Sequence, residues 1–531
     1  MLLTYGRSEQ IGATMIPTGV PPEFLARVTS PAQAFSGAPA QAVQIWTGEE
    51  LCEFPTAAPS DVVRAVEVAH EAQVRWWGLT QIERWRVFRD FATLVKTHRE
   101  KLIRLLQVFG GQSRFDAFDQ FQDTFNSASQ YAQFVKRMSM SEFSHGAIPF
   151  VSRLRKDSLP LGTVAAFTLS DYMLSYGAVD IAPILAAGNS VIQFVPAQAY
   201  PVSMAVLELA EAAGLPHGAW QVLPAHSTDL GRAHIDLFDH VVYIGNTATG
   251  VSLQQQCLDA TVGTTMYMSV KNHSVVMADA NLEVAVRSVA WQAFMNAGYS
   301  SVHIEKVHVD RGLYPDFIRK LRSLVERRIV PGATYDHTAT MGSAYSQARF
   351  DRVRNHTVDA LSLGADILCG GNPRPELGPW FHEPTILLDV PEDALAYSEE
   401  TYGPVLIVEP FDQVDEVTTE IAHSQYCYGM QIFTEDMALA NYVACASTAS
   451  FVSINDGYHM LWGAWNAPVR GSRDTGTGVR HGVAAIRQFT RQCLTMRELA
   501  YTGEPNSTQS LNQWERLSLK VVYTSAFLRS L

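Results

Sequence analysis

From Leu161 onward the chain alternates short apolar runs with helical stretches, a pattern that few architectures accommodate. Gly162–Thr168 reads as a strand and Tyr172–Ala187 as a helix. Ser190–Val195 is again a strand, followed by a helix over Pro201–Ala213 that Gly214-Leu215-Pro216 closes. Trp220–Leu223 and His240–Ile244 continue as strands. This βαβαβ rhythm predicts a parallel sheet covered by helices. Pro201 just inside a helix and Gly214 just past its end follow the usual asymmetry of helix termini. A second alternating block runs from His273 to about Asn455, so the expected fold class is α/β throughout.

Upstream, the first ~55 residues are rich in Pro, Ala and Thr and predict irregular structure with short strands. Ser60 reads as an N-cap, followed by a Val62, Val66, Ala69, Ala72 stripe. The capping box Thr80-x-x-Glu83 starts a second helix, with Trp85, Phe88, Ala92 and Val95 on one side as core packing. The 531 residues suit two or three domains, and 47% hydrophobic content suits a buried core. A net charge of -13 argues against a nucleic-acid or anionic-membrane partner. No apolar run is long enough to span a membrane, and Met1–Gly19 lacks the order of a secretory signal. Six scattered cysteines show no CxxC and no metal-ligand spacing. The expectation is a cytoplasmic protein with free thiols and no metal site.

Seven segments, in order, carry a resemblance. They are Pro160-Leu161-Gly162-Thr163-Val164, Ile181 to Asn189, Ala213-Gly214-Leu215-Pro216, and Ile244-Gly245-Asn246-Thr247-Ala248-Thr249-Gly250. Asn296-Ala297-Gly298, Phe381-His382-Glu383-Pro384-Thr385 and Glu399 to Val405 follow. Over roughly residues 60 to 495 their order and spacing resemble the aldehyde dehydrogenase superfamily. The resemblance implies a Rossmann-type cofactor domain over 1–139 and 158–272 and a catalytic-type domain over 273–466. It also implies an oligomerisation arm and tail at 140–157 and 488–531, and a homodimer or homotetramer.

Carried over position by position, the resemblance divides the working parts. Gly245 and Gly250 match the turn where backbone approaches cofactor ahead of a helix N-terminus. Glu400 stands where the family binds the nicotinamide ribose. Two adenosine-side positions are altered: Val195 replaces a lysine, and Gln198 stands where NAD-preferring members often have glutamate. Valine cannot donate to a ribose or a phosphate, so NAD or NADP binding is expected to be weakened. The three chemical positions are altered as well. Ser301 replaces the nucleophilic cysteine, Asp171 the oxyanion asparagine, and Tyr267 the general-base glutamate. A serine hydroxyl is a weak nucleophile without an adjacent base, an ionised aspartate only accepts hydrogen bonds, and a tyrosine is a poor base near neutrality.

The expectation drawn from these three changes is a protein that no longer oxidises aldehydes and serves a structural, ligand-binding or partner-regulating role. Two alternatives stay open: a repurposed enzyme of a specialised pathway, and a residual NAD(P)-dependent oxidoreductase. For new chemistry the candidates are a Ser301–His303 dyad and an Asp171–Tyr267 pair. Tyr458, Trp462 and Trp465, with Tyr172 and Tyr299, are expected either to line an aromatic pocket for a small-molecule ligand or to plug the entrance.

Overall fold

A computed structural model describes residues 20–145, 152–225, 229–458, 461, 463–498 and 510–530. Its centre is two sheets with helices on their faces. The first has five parallel strands in the spatial order Trp220–Pro224, Ser190–Val195, Thr163–Phe167, His240–Ile244, Gly263–Tyr267. Burial on both faces of Thr163–Phe167 and Ser190–Val195 explains why these strands read as unbroken apolar runs. The second sheet has seven strands, ordered Asp366–Cys369, Thr385–Leu388, Val405–Phe411, Lys306–Asp310, His273–Val276, Gly429–Phe433, Phe451–Ile454. Only its first pair is antiparallel.

The capping box forms as read: Glu83 accepts from the Thr80 N–H at 2.8 Å, and Thr80 Oγ1 accepts from the Glu83 N–H. The preceding helix starts two residues earlier than expected, at Pro59. There the Asp61 carboxylate accepts from the Ala58 and Ser36 N–H groups, so Ser60 is not its cap. The helix expected over Tyr172–Ala187 is broken into a widened π-helical turn, Gly177–Ile181, and a short α segment, Ala182–Ala186. The widened turn tilts the Tyr172–Asp180 stretch against helix Arg114–Arg137, with consequences for the site. Before the sheets, a helix at Pro22–Thr29 precedes the short strands Pro39–Val43 and Glu50–Pro55.

Ser141–His145, Ser152–Pro160 and Thr490–Glu498 form a separate three-stranded antiparallel sheet. It leaves Phe143, Leu494 and Met496 exposed. The chain continues to a helix at Leu511–Ser530. Among the described residues, no helix is long and apolar enough to cross a membrane.

Candidate active site

Ser301, Tyr267, Asp171, Gly245 and Glu400 line one cavity of about 130 Å³. It lies where the C-terminal ends of the five-stranded sheet face the N-terminal ends of the seven-stranded one. Gly245 and Tyr267 end strands of the first, while Ser301, Glu400 and Tyr428 precede strands of the second. Crevices at the carboxyl ends of parallel strands are the usual ligand sites of such sheets.

Three residues hold the wall formed by residues 399–402. Lys271 Nζ, buried, reaches Glu305 at 2.8 Å and donates to the carbonyls of Ala396 and Glu399. Glu305 in turn accepts from the N–H groups of Thr401 and Tyr402 and pairs with His303 Nε2. Burial alone would raise the Glu305 carboxyl; Lys271 and His303 outweigh it and hold the group well below the usual range. Arg352 donates to the Glu400 carbonyl at 3.0 Å. Glu400 accepts from the Val270 N–H at 2.8 Å, and burial with the nearby Glu305 charge pushes its carboxyl upward.

Asp171 is buried and receives the hydroxyls of Tyr176 and Tyr402. Both phenols are pushed well above their ordinary range by burial and the Asp171 charge, so they keep their protons and donate. Tyr267 donates to the Val479 carbonyl at 2.9 Å and lies under the Arg480 guanidinium. Burial drives its phenol upward too, so it cannot act as a base.

Helix Asn246-capped Thr247–Asp259 begins at the cavity edge, with Asn246 Oδ1 accepting from the Thr249 N–H at 2.8 Å. A Cβ at Gly245 would strike the Tyr243 side chain, and one at Gly250 would meet Met268 Sδ at 2.5 Å. A side chain at either position would therefore have to displace Tyr243 or Met268, and Gly250 itself is set back from the cavity.

Several expected site residues lie elsewhere. His303 is fully buried, with Nδ1 at the Ser300 carbonyl and Nε2 on Glu305, so both ring nitrogens are committed and the Ser301–His303 dyad does not form. Asp171 and Tyr267 share the cavity but have separate partners, so they are no acid–base pair. Tyr299 is 2% exposed and packs edge-on against Tyr345 and Tyr402 in the core. Trp465 sits behind the wall against the His481 ring, while Tyr172 and Tyr458 do line the cavity. Trp462 lies outside the described residues. Of the expected aromatic set, Tyr172 and Tyr458 thus stand on the cavity lining, while Tyr299 and Trp465 do not.

On the adenosine side, Val195 is buried in its strand. The Gln198 amide is bonded to both the N–H and the carbonyl of Val43 and to the Phe109 carbonyl, leaving it committed to the scaffold. No cysteine lines the cavity, and burial pushes the Cys257 thiol to about 11 and that of Cys427 to about 12.

The sequence reading missed Asp119, Asp123, Asp180, Arg349 and Arg480, all of which line the cavity. Asp180 and Arg480 form a bidentate pair, with 3.0 Å between Nε and Oδ1. Away from the cavity, His273, His308 and Glu420 come together on strand and helix positions far apart in sequence. Lys306 Nζ, 2.5 Å from Glu420, already neutralises that acid.

A parallel and a mostly parallel sheet joined at a cavity, with a glycine turn and a helix N-terminus on its rim, define an α/β fold with a Rossmann-like first half. The chain belongs to the aldehyde dehydrogenase family, whose model matches residues 35–493. A Mycolicibacterium smegmatis relative, provisionally named succinate-semialdehyde dehydrogenase with NADP(+) in its name, is 30% identical over 89% of this chain and 91% of its own. A Pseudomonas fluorescens protein named phenylacetaldehyde dehydrogenase is 29% identical over 84% of this chain and 89% of its own. Among solved structures, an NADP-dependent Escherichia coli enzyme superposes with a TM-score of 0.82 at 24% identity, over 87% of this chain and 95% of its own.

These relatives overturn the expectation of a protein without aldehyde chemistry: proteins similar over nearly the whole chain are named as aldehyde dehydrogenases. The sequence argument had equated that chemistry with one thiol, one amide and one glutamate.

Proposed function

We propose that the protein is an NAD(P)-dependent oxidoreductase of aldehydes that acts on the hydrated aldehyde rather than on a thiol adduct. The observation carrying this reading is that Gly245, Glu400, Ser301 and Asp171 line a single cavity. The nicotinamide end fits the cofactor: a glycine turn where a Cβ would meet the Tyr243 side chain, a helix N-terminus on the rim, and a half-buried Glu400 for a ribose hydroxyl. The adenosine end offers no charged donor from Val195 or Gln198, so affinity rests on the other end of the dinucleotide. A bound nicotinamide supplies the hydride acceptor.

The rest is the work of the protein's own groups. A hydrated aldehyde, R–CH(OH)₂, becomes R–COOH by losing a hydride from carbon and a proton from one hydroxyl. Asp171 takes that proton. An acid is the wrong group for stabilising an oxyanion, yet it is the right one for accepting a proton, and Tyr176 and Tyr402 hold its carboxylate in place. Ser301 orients the second hydroxyl by hydrogen bonding and forms no covalent bond. Its one neighbouring imidazole in sequence is committed elsewhere. The exposed Phe143, Leu494 and Met496 on the three-stranded sheet support assembly into a homo-oligomer.

The test is formation of reduced nicotinamide from an aldehyde panel with saturating NAD or NADP. Asp171→Asn should lower kcat about 10²–10⁴-fold, the usual span for a positioned base. Ser301→Ala should cost only about fivefold, the worth of one neutral hydrogen bond. Abolition of turnover by Ser301→Ala would sink the non-covalent route. Absence of turnover with every aldehyde would sink the oxidoreductase itself.

A further inference from the structure

Resting on the reading of this cavity as an aldehyde site, its charge names the substrate class. Five carboxyls line it, those of Asp119, Asp123, Asp171, Asp180 and Glu400, against the two guanidiniums of Arg349 and Arg480. Three of the acids are answered. Arg480 is bidentate on Asp180, two phenols donate to Asp171, and the Val270 N–H meets Glu400.

Asp119 and Asp123 are different. They stand one turn apart on helix Arg114–Arg137, and among the described residues neither has an ion-pair partner. Asp119 accepts from the neutral Tyr458 hydroxyl at 2.7 Å, and the Ser175 hydroxyl bears on Asp123 as a neutral neighbour. The cation that bears on Asp123 is Arg480, already committed to Asp180. Burial pushes the Asp119 carboxyl up to about 7 and that of Asp123 up to about 6, the direction expected of buried acids with no cation paired to them.

A second observation comes from another element. His481 is buried, lines the same cavity, and its Nδ1 has no hydrogen-bond partner. Burial and the adjacent Arg480 lower this imidazole to about 4, so it is neutral and has a ring nitrogen able to accept. Two unanswered acids and an orphaned acceptor share one cavity. A positively charged donor would answer the two acids and, in the tautomer whose Nδ1 accepts, the imidazole as well.

We propose that the substrate is an aldehyde carrying a cationic amine, its ammonium held by Asp119 and Asp123, and that aldehydes with a terminal carboxylate are repelled. The second clause separates this chain from the succinate-semialdehyde name of its relative. That substrate would bring one more negative charge to a lining of five carboxyls and two guanidiniums, of which Arg480 is taken by Asp180 and Arg349 lies over the rings of Tyr345 and Tyr402. The ring faces of Tyr172 and Tyr458 favour the same sign of ligand.

Two measurements test the proposal and keep it separable from the oxidoreductase reading. The first is calorimetric binding of butylammonium, butyrate and pentanol to the purified protein, which needs no turnover. Butylammonium should bind at least about tenfold more tightly than pentanol, with no detectable butyrate binding; a charged hydrogen bond is worth roughly that factor or more. The second is kcat/KM for aminopropionaldehyde, its isostere butyraldehyde, and succinate semialdehyde, expected in that descending order. Asp123→Asn and Asp119→Asn should each shrink the amine preference by about tenfold or more, and Asp123→Glu should restore part of it.

Butylammonium binding without oxidation of any aldehyde would sustain the cationic site and overturn the oxidoreductase. Oxidation with equal rates for aminopropionaldehyde and butyraldehyde, or with succinate semialdehyde preferred, would overturn the cationic substrate and leave the oxidoreductase standing.

Discussion

The two walls of the cavity treat buried charge in opposite ways. On the wall of residues 399–402, Glu305 is met by Lys271, His303 and two backbone N–H groups, and its carboxyl is held far below the usual range. On the helix that also lines the cavity, Asp119 is met by the neutral Tyr458 hydroxyl, Asp123 has no ion-pair partner among the described residues, and burial pushes both carboxyls up. A saturated acid is a fastener: it fixes the loop bearing Glu400 and Tyr402. An unsaturated acid stores a preference for something the chain does not itself supply. The same side-chain chemistry therefore reads as scaffold on one side and as recognition on the other.

The largest effect should come from undoing the fastener. Glu305→Ala leaves the buried Lys271 ammonium unpaired and should destabilise the protein by about 3–5 kcal/mol, measured by denaturant unfolding. It should also release the 399–402 loop and abolish turnover. A loss below about 1 kcal/mol would erase the contrast between the walls.

Next in size is Gly245→Ala, whose Cβ runs into the Tyr243 side chain. Overpacking of this kind costs about 1–3 kcal/mol. Titration should read it as roughly tenfold to hundredfold weaker NAD(P) binding.

A smaller effect sharpens the opposing wall. The folded-state carboxyl of Asp119 lies above its ordinary value of 3.8, so between there and about 7 the folded protein holds a proton that the unfolded chain has released. Its contribution to stability is therefore present at low pH and lost as pH rises through that window. Asp119→Asn should melt at a higher temperature than the parent protein at pH about 8, and the gain should fade toward pH about 4. A gain that grew on acidification would contradict the unanswered acid.

The smallest expected change is in Tyr458→Phe. Its hydroxyl lowers the Asp119 carboxyl, so removing it moves that acid further up. The acidic limb of butylammonium binding should shift to higher pH by less than about one unit.

The strands were legible because burial on both faces leaves a run of apolar residues, as in Ser190–Val195. The turn was legible through Gly245 and Gly250, where any side chain would crowd Tyr243 or Met268. The widened turn at Gly177–Ile181 was not, since its residues carry an ordinary helical pattern. Single residues misled where their partners are remote: His303 is two positions from Ser301 but spends its ring on Ser300 and Glu305. Arg480 and Asp180 meet across 300 positions, beyond the reach of spacing arguments. One signal was present and unused. Asp116, Asp119 and Asp123 fall at i, i+3 and i+7 on a helix, and so form one acidic stripe, interleaved with Phe115, Phe118 and Phe121. Charged stripes usually face solvent; this one is partly buried because the stretch from Tyr172 packs over it.

A cavity lined by hydroxyl, carboxyl and phenol but by no cysteine has a bearing on durability. Alkylating agents and peroxide disable enzymes whose turnover depends on a reactive thiolate, by capping or oxidising that sulfur. Here the six cysteines lie away from the reacting atoms, and those in the interior hold their protons tightly. On the proposed non-covalent route, turnover should therefore persist after treatment with thiol-alkylating agents or peroxide.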